Sequence, residues 1–135
     1  MTYLQTWHKN YFKNATKTDY GGRKYDSKFE ASYATELDLR QKAGDIIKWE
    51  AQKTLPLIVN GYLVCNYKID FIVYYKTGII EYVETKGYMT QTWKLKWKLF
   101  EAIYSEKKDV LLTVVLQGNN YKLRPPKAKK IKSGI

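Results

Sequence analysis

Two apolar runs, Ile69-Asp70-Phe71-Ile72-Val73-Tyr74-Tyr75 and Ile79-Ile80-Glu81-Tyr82-Val83-Glu84-Thr85, face each other across Lys76-Thr77-Gly78. Both are rich in β-branched and aromatic residues, which suit a pleated, half-buried surface. Thr77-Gly78 supplies a turn, so the runs are expected to pair antiparallel. Side chains alternate faces along a strand, so Glu84 and Lys86 point the same way. With the turn near Thr77-Gly78, Asp70 falls opposite Glu84 or nearly so.

Working outward, Ile46–Gln52 and Thr54–Val59 are two more strand-like runs. Little more than Lys53 separates them, which predicts one bent strand. Asn60-Gly61 is the strongest short hairpin signal in the chain, and Tyr62–Tyr67 answers it on the far side. These runs make an antiparallel meander. Before them, Ser27 to Ala43 reads as a helix: Phe29, Tyr33 and Leu37 recur every four residues, and Ala34 and Leu39 widen the stripe. Ser27 suits its N-cap and Gly44 its stop. After them, a helix is expected from about Thr90 to Ser105. On it Lys94, Lys98, Glu101 and Ser105 form a narrow polar stripe, and Trp93, Leu95, Trp97, Leu99, Phe100, Ala102, Ile103 and Tyr104 cover the rest. Val110–Leu116 is a final buried strand. A strand reached through a helical crossover runs parallel to its predecessor. The expected class is α/β: a mixed β-sheet flanked by helices, in the order helix, three strands, helix, strand.

The chain has 135 residues, with 24 Lys+Arg against 13 Asp+Glu, for a formal charge of +11. That length fits one domain. That charge attracts a polyanion: DNA, RNA or an anionic membrane. One cysteine (Cys65) and one histidine (His8) exclude an intrachain disulfide and a zinc site of the usual Cys/His type, and leave histidine-based triads poorly supported. No run approaches the ~20 apolar residues of a membrane span, and no apolar signal core opens the chain. The expectation is a cytoplasmic protein with no membrane partner.

Two carboxylates on one face of a strand pair repel each other unless a cation lies between them. A hard divalent ion with oxygen ligands suits Asp70 and Glu84: Mg²⁺, with Mn²⁺ as substitute. The Thr85 backbone carbonyl can complete the protein ligands. Such an ion can generate a nucleophile from water and offset phosphate charge. Lys86 beside it can activate the water or stabilise the charge that develops. Phosphodiester hydrolysis needs these parts and no histidine.

Asp70, thirteen residues, then Glu84-Thr85-Lys86 resembles the D…(D/E)-x-K signature of the PD-(D/E)XK nucleases. Ser27-Lys28-Phe29-Glu30-Ala31 resembles the glutamate-bearing start of that fold's first helix, and the element order is also that family's. Val83-Glu84-Thr85-Lys86-Gly87 after an Asp-Phe strand is most similar to phage Holliday-junction resolvases of the endonuclease I type. The similarity spans roughly residues 23 to 116. Ile69 stands where the motif has proline. The Gln-x-x-x-Tyr signature of the RecB-like branch is absent, since Leu95 follows Gln91 by four.

The resemblance implies a restriction-endonuclease-like fold and a Mg²⁺-dependent DNA endonuclease acting on branched DNA. Asp70 and Glu84 would bind metal, Glu30 would act through a metal-associated water, and Lys86 would complete the catalytic set. Gln52 would support that water from behind, or stand as a plain edge residue. Junction resolution implies a homodimer, built by the aromatic face of helix 90–105 or by the N-terminal arm. The organisation expected is a basic arm (1–26), a nuclease domain (27–120) and a basic tail (121–135), in the host cytoplasm if phage-encoded. The cations assigned to DNA are Lys9, Lys13, Arg23, Lys24, Lys94, Lys96, Lys98, Lys127, Lys129, Lys130 and Lys132.

Other readings stand beside these. Ser27-x-x-Glu30 is also a capping box, in which the glutamate serves the helix end. Lys96 lies within the apolar arc of its helix, and either snorkels to water or reaches a phosphate or site carboxylate. A nicking, repair or transposition endonuclease of the same fold, a non-catalytic nucleic-acid-binding protein and an RNA-binding protein remain as alternatives.

Overall fold

The structure is a computed structural model, and it describes residues 18–20, 22–25, 27–117 and 128–131. Eight elements follow in order: β1 (Thr18–Tyr20), β2 (Arg23–Tyr25), α1 (Lys28–Lys42), β3 (Ile46–Val59), β4 (Tyr62–Tyr75), β5 (Ile80–Lys86), α2 (Gln91–Tyr104) and β6 (Val110–Leu116). β3, β4, β5 and β6 form one sheet in that order. The first three strands are antiparallel, and β6 runs parallel to β5. The domain is therefore α/β, with a mixed four-stranded sheet between helices.

The bent strand expected over 46–59 is a single element, and so is 62–75. They join through Asn60 and Gly61 at φ 51° and 82°, the backbone a type I′ turn requires. The pairing of β3 and β4 runs to this turn, whereas β4 pairs β5 only from Phe71 to Tyr74. The far half of the β3–β4 hairpin thus projects beyond β5. Gln52 breaks the regularity of β3: its φ is 55°, a left-handed conformation that costs a non-glycine residue about 1–2 kcal/mol.

Each sheet face carries its own core. On one, Phe71, Val73, Val83 and Ala51 pack with Ala31, Ala34 and Leu37 of α1 and with Tyr25. On the other, Ile72, Ile69, Tyr67 and Leu57 pack with Trp93, Trp97, Phe100 and Tyr104 of α2. Burying a ring such as Phe71 contributes about 2 kcal/mol.

Four expectations change here. Val110–Leu116, expected as a buried strand, is an edge strand with no fully buried residue. Thr18–Tyr20 and Arg23–Tyr25, expected as arm or loop, pair as antiparallel strands, and Tyr25 is fully buried against Phe71, so the packed core begins before Ser27. Leu39 and Leu95, assigned to apolar stripes, are 62% and 71% exposed. The aromatic face of α2, a candidate dimer surface, packs on the chain's own sheet. Among the described residues, no helix is long and apolar enough to cross a membrane.

Candidate active site

One row of residues crosses three strands. Ala51 pairs Phe71 and Lys53 pairs Ile69, which sets Gln52 opposite Asp70. The last β4–β5 pair is Phe71 with Val83, and the same register carried one step further sets Asp70 opposite Glu84. Opposed residues of an antiparallel pair share a face. Asp70 and Glu84 therefore converge where β4 and β5 part.

Each carboxylate is held differently. Asp70 Oδ2 accepts from the Thr85 amide at 2.8 Å and from its hydroxyl at 2.7 Å. Thr85 thus meets Asp70 through its N–H and hydroxyl rather than its carbonyl. Glu84 is only 3% exposed, and its Oε2 is a buried oxygen with no hydrogen-bond partner. Burial, and then the charge of Asp70, hold the Glu84 carboxyl well above the usual carboxylate range, against the opposing pull of Lys86.

Glu30 approaches from α1. Its amide donates to Ser27 Oγ at 3.1 Å, which makes the N-cap, and its Oε2 accepts from Gln52 Nε2 at 3.2 Å. Ser27 therefore caps the helix through the Glu30 amide, while the Glu30 carboxylate bonds Gln52 in the cleft. Gln52, expected behind a water, bonds Glu30 directly. Lys86 rests over the Trp93 ring, with Nζ 4.9 Å from the centroid.

These groups line one cleft of about 330 Å³. Glu30, Gln52, Asp70 and Glu84 supply its carboxylates and an amide. Lys68, Lys86, Thr90, Thr92 and Lys96 supply cations and hydroxyls, and Tyr67 and Trp93 supply aromatic walls. The four residues expected as catalytic all reach this cleft. Among the described residues, no three His, Cys, Asp or Glu side chains gather closely enough to cage a metal by themselves. The donor set is thus two neighbouring carboxylates, with Glu30 set apart on the Gln52 amide. Two close acids, one with an orphaned buried oxygen, suit a divalent cation that keeps several waters.

The assigned cations divide. Lys96 is half-buried, lines the cleft and donates from Nζ to the Asn66 carbonyl at 3.5 Å. Lys94 and Lys98 do not line it. Lys129 and Lys130 are exposed, and Lys130 Nζ lies 3.8 Å from Glu106. The neighbouring Ala128 amide donates to Glu101 at 2.8 Å, which ties this segment to the end of α2 remote from the cleft. Arg23 and Lys24 lie on β2, while Lys9, Lys13, Lys127 and Lys132 lie outside the described residues.

Sequence reasoning missed Tyr67, Trp93, Lys68, Thr90 and Thr92 as site residues. Their only signal was position: Tyr67 and Lys68 lie just before Asp70, and Thr90, Thr92 and Trp93 just after the Glu84-Thr85-Lys86 strand.

Fold and site together define an α/β domain with an acidic pair and a lysine in a cleft at the point where two central strands diverge. The chain belongs to the family described as "Protein of unknown function (DUF1064)", which matches residues 9–123. No curated protein matches it.

Proposed function

We propose that this protein is a metal-dependent DNA endonuclease that hydrolyses phosphodiester bonds, with branched DNA as the preferred substrate. The observation that carries the proposal is the convergence of Asp70 with the buried Glu84, whose Oε2 has no hydrogen-bond partner, two residues before Lys86 on the same strand face. Such a pair costs stability in an empty protein and is suited to holding Mg²⁺, or Mn²⁺ in its place.

Asp70 and Glu84 would hold the ion, with the Thr85 carbonyl as a third protein ligand and Glu30 acting through water. The ion, when bound, supplies a nucleophile at neutral pH and offsets phosphate charge. Lys86 orients the attacking water, takes its proton, or stabilises the charge that develops on the phosphate. Lys68 and Lys96 on the cleft rim contact flanking phosphates, and the basic termini extend that contact without reading bases. Two symmetric cuts at a junction require two active sites, so the working form is a homodimer, placed in the cytoplasm.

The test is cleavage of a four-way junction, a linear duplex and a single strand of matched sequence with Mg²⁺. The expected result is cutting of the junction first, abolished by Asp70→Asn and slowed about a hundredfold or more by Lys86→Ala. Binding without any Mg²⁺-dependent cleavage, hardly changed by Glu84→Ala or Lys86→Ala, would instead show a non-catalytic nucleic-acid-binding protein. Preferential cutting of linear duplex would retain the chemistry and remove the junction.

A further inference from the structure

Two aromatic residues from different elements meet at Glu84. Tyr67 of β4 is 3% exposed and Trp93 of α2 is 7% exposed. The Trp93 indole N–H donates to the Tyr67 hydroxyl oxygen at 3.1 Å. Both residues line the same cleft as Glu84. An indole N–H only donates, whereas a phenol can accept and donate at once. With its oxygen taken up by the indole, Tyr67 has a proton to give, and Glu84 is the acceptor beside it. A chain of donation from Trp93 to Tyr67 to Glu84 would use each of these groups once.

We propose that Tyr67, braced by Trp93, is a positioning residue that fixes one oxygen of Glu84 and leaves Oε2 to a divalent cation. The proposal rests on the cleft being a cation centre. It gives the two carboxylates separate holders: Thr85 for Asp70, and an aromatic pair for Glu84. Bonds that orient a metal ligand from behind typically change affinity about 10–100-fold when lost. The Tyr67 ring has a second duty, since it packs on Trp97 and Phe100 at centroid distances of 6.3 and 5.1 Å. Tyr67→Phe keeps that packing and removes only the hydroxyl.

Two measurements test the proposal. The first is calorimetric titration of Mn²⁺ into wild type, Tyr67→Phe and the control Tyr74→Phe, whose lost hydroxyl served Glu50 outside the cleft. The expected result is about tenfold weaker Mn²⁺ binding in Tyr67→Phe, with a melting temperature near that of Tyr74→Phe and wild-type affinity in the control. Equal affinity in Tyr67→Phe and wild type would overturn the proposal. The second is a metal-free double-mutant cycle in denaturant with Tyr67→Phe and Glu84→Gln. Non-additive effects support the donor chain, and additive effects refute it. If wild type takes up no Mn²⁺, the cation-centre reading fails, and the cycle still decides whether Tyr67 holds Glu84.

Discussion

At the scale of single residues, Glu84 is the most informative group. Its carboxyl titrates well above the ordinary value because burial, and then Asp70, disfavour the charged form. The sign of the effect on stability follows directly. Between the unfolded value near 4.5 and the raised folded value, the folded state binds the extra proton. Stability of the metal-free protein therefore falls as pH rises through that window. Glu84→Gln removes this loss, so its melting temperature should exceed wild type by a margin that grows above about pH 4.5. Thermal melts of both proteins in chelator from pH 4 to 8 check this. A constant margin would contradict it. Asp70, Glu84 and Lys86 were legible in the sequence because strand alternation and one turn place them. Tyr67 and Trp93 were not, because an aromatic residue in an apolar run looks the same whether its polar atom meets a neighbour or a carboxylate. Glu81 escaped for a related reason. It is 7% exposed on the opposite sheet face, where the Tyr75 hydroxyl donates to it at 2.6 Å and Thr113 donates as well. Those partners come from the two neighbouring strands, β4 and β6, and nothing local announces them.

At the scale of elements, turns and caps were the readable part. Asn60-Gly61 forms its hairpin turn, and Ser27 caps α1 through the Glu30 amide. Ser27→Ala should cost about 1 kcal/mol in chemical denaturation. Because the cap fixes the turn that presents Glu30, the same variant should also lose cleavage rate, whereas a purely structural cap would leave the rate intact. The helix faces were read less well. Periodicity finds an apolar stripe but not how much of it a sheet will cover. Leu39 and Leu95 fall at the edges of their stripes and remain in water. Similarly, β1 and β2 are three residues each, too short for a periodic signal, and they rest on the packing of Tyr25 against Phe71.

At the scale of the molecule, the order helix, three strands, helix, strand places the acidic row where β4 and β5 separate, with α1 bringing Glu30 and α2 bringing Trp93 and Lys96 to the same cleft. The chain carries a formal charge of +11, and Lys68, Lys86 and Lys96 line the cleft beside its carboxylates. The contrast suits a polyanion held by lysines while a cation bridges it to carboxylates. Among the described residues, exposed apolar surface gathers at the tip of the β3–β4 hairpin, at Ile58, Val59, Tyr62, Leu63 and Val64. The aromatic face of α2, by contrast, is consumed internally. The most direct test of the central claim is anomalous diffraction from crystals of the protein grown with Mn²⁺. The account predicts a manganese peak bridging the carboxylates of Asp70 and Glu84, lost in Asp70→Asn. Ordered carboxylates with no peak between them at saturating Mn²⁺, or a peak elsewhere in the molecule, would contradict it.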